Sequence, residues 1–285
     1  MKKPAAPKPE FNIISASRRS DLPAFFADWL LERIHAGRAE NINPFNGRRT
    51  WVSLRPEHVH SFVFWSKDYR PLLPHLDALD AHYRATFHFT ITGLPKLLEP
   101  HVPDPEVAIE TLSYLSHRYS PRHLTWRFDP IVFSPQLNEA YYLAQFARLS
   151  AALAGKVTRC YFSFVYFYAK VQRSLAALPA MGYYDPPLEQ KQALAARLAE
   201  IAADCGLTLH SCCADALLVP GVQPGHCIDG ALLAELFPER PLVSEIRPTR
   251  SDCGCYASRD IGAYDTCEHG CLYCYATRPH LRLGK

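Results

Sequence analysis

The sequence has almost no excess of charge of either sign: 31 lysines and arginines against 28 aspartates and glutamates leave a formal net charge of +3. So even a balance excludes binding driven by a global field, and any polyanionic partner would need a local basic patch. No apolar run approaches the roughly 20 residues a membrane helix needs. The opening Met-Lys-Lys-Pro-Ala-Ala-Pro-Lys-Pro lacks the apolar stretch of a secretion signal, so residues 1–10 read as a disordered tail. Internal repeats, low-complexity core segments and proline–glycine linkers are missing too, which leaves a single packed domain as the economical reading of 285 residues that are 48% hydrophobic. Cysteine is what the chain does have: ten of them without a secretion signal point to a reducing, cytoplasmic setting, where thiols serve metals or chemistry rather than disulfides.

Apolar strand-like runs alternate with helical spacing, the pattern of repeated βα units. The strand candidates are 11–16, 59–65, 85–92, 124–128, 159–165, 207–211 and 242–246. Helical spacing covers 23–36, 71–82, 105–118, 138–154, 188–205 and 230–237, several of these starting at proline, which suits a first helical turn. Residues 37–54 break the rhythm with Asn43-Pro44-Phe45-Asn46-Gly47 and read as an inserted loop or hairpin. The expected fold is α/β, a single TIM-like (β/α) barrel over residues 11–250 with a cysteine-rich segment, 251–285, packed on it.

Polar residues recur where such a fold would gather its chemistry, at the C-terminal ends of the strands. Arg18, Arg19 and Asp21 follow the first strand, Lys67 follows the second, and Thr90 and Thr92 end the third. Arg127 and Asp129 end the fourth, Ser163 lies in the fifth, and Cys212 and Cys213 end the sixth. A single charged strand end is usually solvated or helix-capping, but six in succession read as a shared site. The candidate catalytic residues are therefore Arg18, Arg19, Asp21, Lys67, Arg127 and Asp129. The aromatic run Tyr161 to Tyr168 reads as wall packing rather than a platform for stacked bases.

Near the end of the chain stands Cys267-Glu268-His269-Gly270-Cys271-Leu272-Tyr273-Cys274, spaced C-x3-C-x2-C. Offsets of four and three place three thiolates on one short loop about a common centre, with Gly270 letting the backbone fold close to a metal. Three protein ligands on a four-iron cluster leave one iron open to a substrate or cofactor. The competing reading is structural zinc, with Cys253 and Cys255 joined by Cys271 and Cys274; zinc usually takes paired C-x2-C halves, and neither the x3 spacing nor the aromatic before the last cysteine serves it. Cys213, Cys227, Cys253 and Cys255 make a second group able to bind a further cluster or zinc. One of the adjacent Cys212 and Cys213 reads as a small buried hydrophobe, Cys160 and Cys205 as core, and His269 as either a hydrogen-bond donor supporting the cluster or, the preferred reading, an exposed bystander.

The C-x3-C-x2-C loop with Tyr273 before its last cysteine resembles the cluster loop of the radical S-adenosylmethionine (radical SAM) superfamily. The whole chain resembles an uncharacterised family of bacterial proteins of unknown function that opens with Ser-Arg-Arg-Ser/Thr-Asp and closes with such a cysteine cluster. The residues that carry this are Ser17 to Asp21, Asn43 to Asn46, Phe64-Trp65-Ser66-Lys67, Trp126 to Pro130, Cys227 to Gly230 and Cys253 to Cys274. The resemblance implies a 4Fe-4S cluster on Cys267, Cys271 and Cys274. It also implies reductive cleavage of S-adenosylmethionine, hydrogen abstraction from a substrate, and a reductase, flavodoxin or ferredoxin as electron donor. In most of the superfamily the cluster loop follows the first strand. Here the implied barrel is circularly permuted, with Asp260 to Asp265 leading in as the first strand and Phe11 to Ala16 pairing beside it. The superfamily's Gly-Gly-Glu has no counterpart: Ser15 to Asp21 stand in its place, which makes Ser17, Arg19, Asp21 and Tyr273 the implied cofactor-binding residues, unless Arg19 and Asp21 simply pair with each other. The cationic strand ends suit an anionic small-molecule or nucleotide-like substrate. A zinc-stabilised nucleic-acid-binding protein and a cluster-bearing electron carrier are the alternatives.

Overall fold

The computed structural model describes residues 11–43, 46–242, 245–248 and 253–277. The expected N-terminal tail, Pro44 and Phe45, and the end of the cysteine-rich segment lie outside them. The strands are β1 (Asn12–Ala16), β2 (Arg38–Ile42), β3 (Arg49–Ser53), β4 (Val59–Ser66), β5 (Ala85–Thr90), β6 (Leu124–Ile131), β7 (Arg159–Phe164), β8 (Thr208–Cys212), β9 (Val222–Gly225) and β10 (Arg259–Asp260). The helices are α1 (Leu22–Phe25), α2 (Ala27–His35), α3 (Leu76–Asp80), α4 (Pro105–Arg118), α5 (Glu139–Leu153), α6 (Ala169–Leu175), α7 (Leu188–Asp204) and α8 (Gly230–Leu236). Six of the seven expected strands are present within a few residues. Of the seventh, 242–246, residues 243 and 244 lie outside the described ones, and Ile246 forms only an antiparallel bridge with Tyr256.

Strands β2 and β3 pair antiparallel as the inserted hairpin. The other eight form one sheet in the order β10-β1-β4-β5-β6-β7-β8-β9, every ladder parallel. The α/β class is thus as expected, but the sheet is open: β9 and β10 stand at its two ends and share no ladder among the described residues. Both are poor partners for closure. β9 contains Pro224, which has no N–H to donate and belongs on an edge, and β10 is two residues long.

Side-chain alternation sorts the sheet into two faces. Phe62, Phe64, Phe87, Phe89, Trp126, Phe128 and Phe162 pack into the main core with helical residues such as Leu30, Leu112, Phe146 and Leu198. Each such side chain, wholly withdrawn from water, contributes roughly 1.5–3 kcal/mol. On the opposite face Ile13 and Val63 join Ile228, Leu233, Phe237, Cys253 and Cys255 in a smaller core. The segment after β9 thereby covers part of that face. Ile261, Cys271, Leu272 and Tyr273 pack into the main core.

Local chemistry explains where helix boundaries depart from expectation. The run 23–36 splits at Phe26: Asp21 caps a single turn, accepting from the Ala24 N–H at 3.0 Å, and Phe26 leaves helical geometry at φ −137°. Pro74 holds residues 70–75 in a 3-10 turn before α3. Helix α6 and strand β9, both short, were not foreseen.

Candidate functional site

The strand-end residues meet. A cavity of about 270 Å³ opens at the C-terminal ends of the parallel strands, lined by Ser17 after β1, Lys67 after β4, Thr90 of β5, Arg127 and Asp129 of β6, Ser163 of β7 and Cys212 of β8. Its wall includes Cys213, Cys227, Cys253 and Cys255 on one side and Tyr273 and Cys274 on the other. An adjoining pocket of about 190 Å³ shares Ser17, Arg18, Lys67 and Cys274 with it and reaches Cys267 and Cys271. All three cysteines of the C-x3-C-x2-C loop therefore line a pocket that adjoins the strand ends. Gly270 sits at φ +70°, the left-handed geometry the turn between Cys267 and Cys271 requires, and a Cβ there would meet Pro100 at 3.1 Å.

Two buried carboxylates hold this loop. Asp21 accepts from the Ser66 hydroxyl at 2.7 Å, the Lys67 N–H at 2.9 Å and His269 Nε2 at 2.8 Å, besides capping α1. His269 is 3% exposed and packs edge-on against Phe25, so it anchors the loop rather than standing by. Glu99, equally buried, accepts from Lys67 Nζ at 2.8 Å, from Thr92 Oγ1 at 2.9 Å and from the Tyr273 hydroxyl. Burial works against the Lys67 ammonium, but the Glu99 carboxylate, helped by Cys271 and Asp129, outweighs it and raises the lysine's pKa. Tyr273 is pushed well above its usual range by burial, then by Cys271 and Glu99. Glu99 carries no motif and was not foreseen; it lies in a loop whose partners only the fold supplies.

A third carboxylate ties β10 to β1. Asp260 accepts from Ser15 Oγ at 2.6 Å, Ser17 Oγ at 2.8 Å, the Arg18 N–H at 3.0 Å and the Gly262 N–H at 2.9 Å. Arg19 pairs not with Asp21 but with Asn41 at 2.9 Å, and lies 3.9 Å from Asp260. Arg18 reaches Ser258 Oγ at 3.3 Å and lines both pockets.

The second cysteine group also assembles, and with a member the sequence reading set aside. Cys212 Sγ lies 3.1 Å from Cys227 Sγ and 3.9 Å from Cys213 Sγ, while Cys255 Sγ accepts from the Ile228 N–H at 3.4 Å. Arg127 grips Asp129 through Nε at 3.0 Å and through Nη2, and turns Nη1 to Cys227 Sγ at 3.2 Å. Hydrogen bonds from Cys212 and Cys255, then the Arg127 charge, hold the Cys227 thiol below its ordinary range against the effect of burial. Cys212 and Cys255 are pushed up in return. His88 stacks on Trp65, bonds the Cys227 carbonyl at 2.9 Å, and is lowered to about 3 by burial and by Arg127, so its imidazole is neutral. Cys160 is core, as expected, and Cys205 is partly buried against it.

Among the described residues no three or more His, Cys, Asp or Glu side chains are drawn together as a ready site for a single metal ion. The zinc set Cys253, Cys255, Cys271 and Cys274 is not gathered: the first pair packs in the smaller core, and Cys271 in the main one. The loop thiols suit an iron–sulfur cluster by donor type. Burial and the Asp21 charge push Cys267 up to about 12, and burial raises Cys271 further, so a cation would have to displace their protons. No helix of the described residues is long and apolar enough to cross a membrane.

A comparison with curated proteins finds no match. A family model does match, over residues 13–276, nearly the whole length from β1 to the last described cysteine. The chain thus belongs to DUF1848, a domain of unknown function.

Proposed function

We propose that this protein is an iron–sulfur enzyme of radical SAM type, with Cys267, Cys271 and Cys274 as the cluster ligands and an anionic small molecule or nucleotide as substrate. The observation that carries the reading is that these three cysteines line one pocket with Ser17, Arg18, Lys67 and Thr90 at the ends of parallel strands. The parallel pairing of β10 with β1, Ser15 beside Asp260, supports a barrel permuted so that the strand leading to the cluster loop closes the chain.

A bound 4Fe-4S cluster would supply the low-potential electron that cleaves S-adenosylmethionine. The protein's own residues hold and shield. Asp21 and Glu99 are occupied in fixing His269, Lys67 and Tyr273, so they position the loop rather than touch a ligand. Arg18 is the cation with the most freedom to meet a carboxylate or phosphate, since Arg127 is committed to Asp129. Tyr166, Tyr168 and Tyr275 line the rim and restrict water. The electron donor is a reductase, flavodoxin or ferredoxin of the cytoplasm.

The test is anaerobic reconstitution with iron and sulfide, reduction, and electron paramagnetic resonance with and without S-adenosylmethionine. A four-iron signal that shifts with S-adenosylmethionine and disappears in Cys271→Ala is the expected result. A signal indifferent to S-adenosylmethionine would leave an electron carrier, and a colourless protein retaining zinc would overturn the proposal.

A further inference from the structure

The cavity wall opposite the cluster loop carries a feature that the proposed reaction does not use. Cys212, at the end of β8, and Cys227, in the loop after β9, come from neighbouring strands of the sheet and place their sulfurs 3.1 Å apart, about 1 Å beyond a disulfide bond. Both line the cavity, so a small molecule inside it reaches them. We propose that Cys212 and Cys227 form a redox-active dithiol that exchanges with a small disulfide entering this cavity.

The two sulfurs have different neighbours, and these assign the steps. Arg127 Nη1 lies 3.2 Å from Cys227 Sγ and supports negative charge there, so Cys227 is the attacking sulfur. It forms a mixed disulfide and expels one thiolate of the small molecule. Cys212 then gives up its proton and attacks the Cys227 sulfur, expelling the second thiolate. Two protein thiols are oxidised to one disulfide, and the small disulfide is reduced to two thiols. The vicinal Cys213 is the poorer partner: its sulfur is 3.9 Å from that of Cys212, and a bridge between adjacent residues strains their shared peptide.

The inference leaves the cluster loop of Cys267, Cys271 and Cys274 untouched, and it stands in place of a second cluster or zinc on Cys227. The experiment treats the full chain, reduced and freed of oxygen, with one equivalent of oxidised glutathione, then alkylates it and maps the peptides by mass spectrometry. The expected product is a Cys212–Cys227 linked peptide with two equivalents of glutathione released. Cys213→Ser and Cys271→Ser should keep that link; Cys212→Ser should instead accumulate glutathione on Cys227, and Cys227→Ser should abolish exchange at Cys212. A link between any other pair, or no reaction in a correctly folded chain, would overturn the proposal. So would a metal found by elemental analysis in Cys271→Ser and lost on adding Cys227→Ser, which would make the group a metal site.

Discussion

Glu99 offers the sharpest check on how the cluster loop is held. Its carboxylate is 3% exposed and accepts from Lys67 Nζ, while also receiving the Thr92 and Tyr273 hydroxyls. Glu99→Ala leaves an ammonium whose side chain is 13% exposed without its paired carboxylate, and strands two hydroxyls. Breaking one partner of a buried ion pair costs about 3–5 kcal/mol, because the remaining charge has neither water nor counter-charge. Urea unfolding of Glu99→Ala should therefore show a loss of that order. Adding Lys67→Met should recover much of it, since the stranded charge is then gone. Loosening Tyr273 should also raise the rate at which a thiol reagent modifies Cys271 and Cys274 in the native protein. A Glu99→Ala protein within about 1 kcal/mol of the parent, or single and double variants whose effects simply add, would refute the reasoning.

Two further outcomes follow from the same geometry. His88 has its pKa lowered from 6.5 to about 3, so the unfolded chain takes up its proton first as pH falls and the neutral ring's stabilisation is progressively lost between those values. The parent should lose stability relative to His88→Gln across that window, by up to roughly 1.4 kcal/mol per pH unit from this group, and parallel pH profiles would refute it. Gly262 faces Ser17 so closely that an added Cβ would stand 2.0 Å from Ser17 Oγ and 2.5 Å from Ser17 Cβ. Gly262→Ala should cost about 1–3 kcal/mol by forcing β10 from β1, and an unchanged urea midpoint would show that the approach is not so close.

Much of this protein could be read from local pattern, because alternation and helical spacing are properties of contiguous residues. Val59 to Ser66 alternates so that Phe62 and Phe64 meet the helices while Val63 and Trp65 face the other way, and Asn138 announces α5 by capping it. The gathering of Arg18, Lys67, Arg127 and Cys212 at one end was also legible, since in parallel βα units every strand ends on the same side. So was the loop of Cys267, Cys271 and Cys274, whose spacing is a local fact. Sheet closure was not legible, for it depends on whether β9 and β10 can pair across the assembled sheet, and Pro224 and the brevity of β10 speak only to that. Nor was the burial of His269, which rests on Asp21 lying 248 positions away. Cys212 looked like one of two adjacent thiols until the register of β8 with β9 brought Cys227 beside it. Sequence by itself determined the layers, the strand-end chemistry and the cysteine loop, because each is encoded within a few neighbouring residues. Only the tertiary structure decided which carboxylate holds which cation and which thiols touch, because those contacts are made by side chains that no local spacing relates.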